Sequence, residues 1–290
     1  MEATDFENFL KVNSSTHHYI PQFLINYFTG TNGLLYVYDK KKDIILKKQR
    51  PSKSIFFEPD RNAVELNSEI KSSILEDYLY REMDNKTSKV IKYFQTEDLA
   101  KIDFKIEDIA TLTFFLISLF WRIPKTDYAA EDIMERSVIT SQGIDPEILK
   151  QDPTYKKMTR AGLFKHHIEE MKTFGAKGTK WSNIHQNEKT SYVIGDYPFL
   201  HKTQPNLFRE FNDIDLLFAV SSTRIYSATN ESLNKFTAFN SFRYNAAIIH
   251  QSVNYVACAD LNVLKNSLNF YNDLKRVGLI YSNEGAFEQK

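Results

Sequence analysis

The residues Thr16-His17-His18-Tyr19-Ile20-Pro21-Gln22-Phe23 bring two imidazoles, a phenol and a carboxamide together beside a proline. A neutral imidazole donates at one ring nitrogen and accepts at the other, and it also binds metals. The proline fixes its own φ and stiffens the backbone that carries these groups. A carboxylate that suits them stands far along the chain, in Gly195-Asp196-Tyr197-Pro198. His17 or His18 with Asp196 could share acid–base work. The same donors, with or without a divalent ion such as Mg²⁺ or Mn²⁺, could activate water. A structural reading uses the same residues. An Asp ahead of an X-Pro turn caps backbone N–H groups, and a His–Asp pair can fasten an N-terminal segment to a sheet.

Arg122 closes the apolar run Ile109 to Trp121 and precedes Ile123-Pro124. A guanidinium there either grips a phosphate or carboxylate bidentately or offsets the exposed carbonyls of a helix end. In the catalytic scheme His17 or His18 is base or ligand, Asp196 is ligand or orienting group, and Arg122 is the phosphate clamp. Gln22 and Asn245 complete the substrate shell. Glu82 follows as a metal ligand or a partner for Arg122, because it falls beside Met83 on the expected helix. Glu65, on the same expected helix, is about 100° out of line with Glu82. The spacing of Arg160 and His166 is similar to that of the Arg/His pair of HEPN ribonucleases, though a solvated helix face explains it as well. The chain has no G-x-G-x-x-G after a strand, no G-x-x-x-x-G-K-[ST], no H-E-x-x-H and no G-x-S-x-G. Dinucleotide, P-loop, zincin and α/β-hydrolase chemistry therefore lack support.

The bulk of the chain must hold these groups in place. Its 290 residues include 22 Phe and 16 Tyr, enough aromatic area for a sizeable core. Lys+Arg and Asp+Glu balance at 37 each, which gives no long-range pull toward polyanions. A local basic stretch, Lys40 to Lys53, reads as a protected hairpin edge or as a polyanion contact. Cys258 is the only cysteine, so no intramolecular disulfide forms. The acidic, polar start is not a secretory signal, and the run to Trp121 is too short to span a membrane. The expectation is a soluble cytoplasmic protein with no membrane partner.

Leu34 to Asp39 and Ile44 to Leu46 alternate as a β-hairpin. A helix is expected over 62–94, a central core helix over 106–122 that stops before Pro124, and further helices over 128–140 and 146–174. Gly175 to Gly178 breaks the helical region. Short β-runs follow at 181–185, 191–194, 216–220 and 224–228, then a helix over 239–253, a strand over 255–259 and a closing helix over 261–274. The class is α+β. The N-terminal hairpin and the C-terminal strands form a mixed or antiparallel sheet around a central helical region. Residues 14–275 form a single domain, with an arm over 1–13 and a tail over 276–290.

With these pieces placed, the chain resembles an uncharacterised, mostly bacterial family, the domain of unknown function DUF4238. The resemblance rests on His17-His18-Tyr19-Ile20-Pro21-Gln22-Phe23-Leu24, then Leu35 to Lys40, Phe57-Glu58, and Phe120-Trp121-Arg122-Ile123-Pro124. Trp181, Tyr192 to Phe199 and Asn245 to Ala259 continue it in order. Gly195 stands where the family usually has Ser, and Tyr197 where Asn or Ser is common. The family brings no agreed activity, only an association with a defence or mobile-element setting. Two functions are carried forward. One is phosphodiester cleavage by a nuclease with a His/Asp/Arg site and nucleic acid as partner. The other is a non-catalytic binding or interaction module in which the same residues are structural.

Overall fold

The β-prone run Leu34 to Asp39, just after a turn at Gly33, starts the central sheet; the glycine holds φ at +71°, which a side chain would resist. The computed structural model describes residues 16–67, 70–72, 75, 80–136, 146–174, 180–187, 190–203, 213–233 and 236–287. The expected arm over 1–13 and the Gly175–Gly178 break lie outside the described residues.

In chain order the N-terminal part has β1 (Thr16–His18), α1 (Gln22–Asn26), β2 (Leu34–Asp39), β3 (Ile44–Ile45), β4 (Arg50–Pro51), β5 (Phe57–Pro59), β6 (Val64–Asn67) and β7 (Ile70–Ser72). The middle has α2 (Arg81–Thr96), α3 (Ile106–Arg122), α4 (Asp127–Arg136), α5 (Pro146–Gln151) and α6 (Pro153–Phe174). The last part has β8 (Trp181–Gln186), β9 (Ile194–Gly195), β10 (Phe199–His201), β11 (Leu216–Ala219), β12 (Arg224–Thr229), α7 (Ala238–Gln251), β13 (Tyr255–Cys258) and α8 (Leu261–Arg276).

The α+β class holds, and every described strand pairing is antiparallel. The expected hairpin forms with Tyr38 opposite Ile45. It joins the C-terminal part as expected, because β2 pairs β13, which in turn pairs β9. The remaining late strands form a separate sheet in the order β10-β11-β12-β8. The helix expected over 62–94 is corrected at its first half. That stretch begins with the β6–β7 hairpin, with Val64 opposite Ser72, and α2 runs from Arg81 to Thr96. The expected helix begins at residue 62, just past the Pro59-Asp60 turn, and so takes in both strands of this hairpin. Asp60 has φ +51°, a backbone state that Asp tolerates better than most residues.

Helix α3 is the centre of the core, as its apolar sequence requires. Leu112 and Phe115 through Arg122 are all buried in it. Burying one such side chain is worth about 1.5–3 kcal/mol. Ile123 leaves the helix in extended conformation and Pro124 prevents its continuation. Helix α7 opens on a capping box in which Thr237 and Asn240 satisfy each other's backbone N–H groups. Beyond α8, Ile280, Ala286 and Phe287 pack into the core cluster through two short 3₁₀ turns.

Candidate functional site

Pairing of β1 with β5 puts His17 opposite Glu58 and His18 opposite Phe57. Strand alternation turns their side chains to opposite faces, His17 into the interior and His18 to a half-buried position. The Asn62 backbone N–H donates to His17 Nδ1 at 3.0 Å. A neutral ring with Nδ1 accepting carries its proton on Nε2. The His18 ring lies 5.7 Å from that of Phe57. Gln22 Nε2 sits 3.3 Å from both His18 ring nitrogens.

Arg122 meets this segment, but through the backbone. Its Nη2 donates to the His18 carbonyl at 3.1 Å, and its Nη1 donates to both Asp84 oxygens at 2.8 and 3.0 Å. The guanidinium lies 4.5 Å from the centre of the Tyr80 ring, and the residue is 1% exposed. Asp84 thus takes the place expected for Glu82. Glu82 is exposed and bonds Lys86 at 2.7 Å, which holds its carboxyl below the ordinary value. Two residues on a helix are about 200° apart, so the inward position falls to Asp84.

The Arg122 carbonyl accepts from Arg61 Nε at 2.5 Å. Arg61 also donates to Glu58 at 2.8 Å and to both Asp127 oxygens at 2.8 and 3.1 Å. Asp127 receives a second guanidinium from Arg160 at 3.2 Å, and Arg160 donates further to the Arg61 carbonyl and to Asn62 Oδ1. These groups wall a cleft of about 300 Å³ that also contains Lys156 and Lys157. Lys157 donates to the Asp60 and Ala63 carbonyls at 2.7 Å. Burial and the nearby Arg61 push the Arg160 guanidinium below its ordinary value. In this cleft the fixed cations already face carboxylates and carbonyls.

Asp196 lies elsewhere. Its oxygens accept from the backbone N–H groups of Val253 at 2.8 Å, Asn254 at 2.6 Å and Tyr255 at 3.3 Å. Burial raises its pKa, and the backbone bonds offset part of that rise. On the other side of the same turn, Lys40 Nζ donates to the carbonyls of Ile249, His250 and Ser252 at 2.6–2.7 Å. Carbonyls at a helix end attract such a cation. Burial pushes Lys40 down to about 8, against the pull of Asp196. Asn245 accepts from Val193 N–H and donates to the Ser191 carbonyl and Ser267 Oγ. Gly195 has a packing reason: a Cβ there would stand 2.1 Å from Ser252 Oγ and 2.9 Å from an Ile248 methyl.

The fold therefore brings His17, His18, Gln22 and Arg122 into one seam, and places Asp196 and Asn245 at the β9–β13 junction. The buried Tyr19 lies between the two, and both Asp196 and Glu58 add to the rise that burial causes in its phenol pKa. Among the described residues no cluster of three His, Cys, Asp or Glu side chains is placed to hold a metal ion. His166 sits near Glu170 at 3.7 Å, and His167 accepts from Trp121 Nε1 at 3.2 Å. Arg61, Asp84 and Asp127 were not expected from sequence. The only advance signal for Arg61 is the Pro59-Asp60 turn that presents it.

The chain is an antiparallel α+β protein with a buried arginine seam. The chain belongs to the family described as a protein of unknown function, DUF4238, whose model matches residues 16–257. No curated protein and no solved structure matches it. No helix among the described residues is long and apolar enough to cross a membrane.

Proposed function

We propose that the chain is a non-catalytic binding or interaction module whose frame is built by His17, Arg122, Asp196 and Asn245. One observation carries this reading. All four residues are buried, and each has hydrogen-bond partners inside the protein. A general acid or base needs a proton-transferring atom within reach of the substrate. A carboxylate bonded to three backbone N–H groups is occupied as a turn cap, the structural alternative that its X-Pro setting suggested.

Phosphodiester cleavage, with nucleic acid as partner in a bacterial defence setting, is the second reading. It draws support from His18 and Gln22, a half-buried imidazole and an exposed amide only 3.3 Å apart. Incubation of the purified protein with plasmid, single-stranded DNA and RNA, with Mg²⁺ or Mn²⁺, separates the two. The binding reading expects intact nucleic acid in every combination. Cleavage that disappears in a folded His18→Ala variant would replace it with the enzyme.

A further inference from the structure

A second cleft, of about 400 Å³, opens where the turn after α3, the end of α7 and the C-terminal 3₁₀ turns meet. Lys125, Lys202 and His250 line it, with Thr203, Ser282 and Glu284. Its cations are arranged unlike those of the arginine seam. Among the described residues Lys125 Nζ has a single carbonyl partner, Gln251 at 2.6 Å, and it lies 5.0 Å from the centre of the Tyr197 ring. Among the described residues the Lys202 ammonium has a loose pair, Asp215 at 3.7 Å. The His250 imidazole touches rings rather than hydrogen-bonding groups: Tyr281 stands edge-on to it at 5.6 Å and Tyr271 tilts toward it at 6.2 Å. Lys40 and Lys275 reach the same imidazole electrostatically. The acids nearby are Glu284 on the lining, Asp215 on Lys202, and Asp196, whose oxygens already face the backbone.

We infer that this cleft binds a phosphate-bearing small molecule, specifically a nucleotide, with the phosphate among Lys125, Lys202 and His250 and the base against Tyr281. The inference rests on the binding-module reading and gives it a ligand. Lysine is a point-charge partner for phosphate, and the hydroxyls of Thr203 and Ser282 add neutral donors. Tyr281 is 73% exposed at the rim, so most of its ring surface is open to a base. Stacking a base on such a ring adds roughly ten- to a hundredfold in affinity. Burial and the cations Lys40, Lys125 and Lys275 already push His250 below its ordinary value. An anion seated beside it reverses that push.

Calorimetric titration of the full chain with AMP, inorganic phosphate and adenosine tests the inference. AMP should bind saturably, at least tenfold tighter than inorganic phosphate, with adenosine weaker than AMP. Lys202→Glu should weaken AMP at least tenfold. Tyr281→Ala should bring AMP down to the affinity of phosphate. Lys47→Glu, on the exposed hairpin edge, should change nothing. The His250 ring protons, followed by NMR, should titrate at higher pH once AMP is bound. Equal binding by the Lys202→Glu and Lys47→Glu variants, or no saturable AMP binding by the folded wild type, overturns the inference. Intact nucleic acid in the cleavage assay together with absent AMP binding would discard this ligand and leave the binding-module reading standing.

Discussion

Two charged regions of this protein use cations in opposite ways. Around α3 and β5, Arg61, Arg122 and Arg160 meet Asp84, Glu58 and Asp127, and each also donates to one backbone carbonyl. At the end of α7, Lys125 and Lys202 line an open cleft with sparser partners. The difference teaches that a dense set of polar residues is not by itself a site. Guanidiniums that are fork-bonded and buried hold elements together. Ammonium groups that border open space keep capacity for a ligand.

The comparison breaks most visibly at Arg122. Arg122→Ala removes the bonds to Asp84 and to the His18 carbonyl. The expected loss is about 3–5 kcal/mol, the usual consequence of removing one partner of a buried pair. Urea denaturation measures it, and an unchanged midpoint would mean that the seam does not hold the fold.

Asp196→Asn comes next. One amide oxygen cannot serve the three backbone N–H groups that the carboxylate accepts, and the amide nitrogen faces donors. A loss of about 1–3 kcal/mol follows, the cost of buried groups left unsatisfied. Gly195→Ala should cost a similar or slightly smaller amount, about 1–3 kcal/mol, because the new methyl overlaps Ser252 and Ile248. Adding Ser252→Ala removes the closest of those contacts and should restore part of the loss in the same denaturation assay. A neutral Gly195→Ala change would show that this junction yields easily.

Lys40 gives a pH dependence of stability. Its folded pKa is about 8, against 10.5 ordinarily, so between those values the unfolded chain binds more protons. Stability therefore rises with pH across that window, and the penalty of the buried charge is fully present below pH 8. Lys180, also pushed to about 8 by burial, adds to the rise. Lys40→Met should flatten, without abolishing, the gain between pH 8 and 10. Denaturation curves at several pH values check this, and an unchanged slope would contradict the assigned burial of Lys40.

Much of this architecture could be read from the chain. The range of α3 was legible to the residue because its apolar run is long and Pro124 ends it. The joining of the first hairpin to the last strand followed from two clear β-runs. The β6–β7 hairpin was missed, since a short apolar run satisfies helical and strand periods alike. The convergence of His18 with Arg122 could be imagined from sequence, but not its form. A side chain bonding a backbone carbonyl leaves no mark in residue type. The partners Asp84, Asp127 and Arg61 were hidden for the same reason. Ordinary charged residues acquire meaning only when helix phase and turn geometry aim them inward.

On this reading the arginine seam is structural. A double-mutant cycle between Arg122 and Asp84, read by chemical denaturation, tests it most directly. Arg122→Met and Asp84→Leu should each cost several kcal/mol, about 3 or more, and the double variant should cost at least about 2 kcal/mol less than their sum. Active-site residues are commonly neutral or stabilising to replace, because function holds them in unfavourable surroundings. Single variants as stable as the wild type, with additive effects in the double, would contradict the account and return Arg122 to the list of candidate catalytic groups.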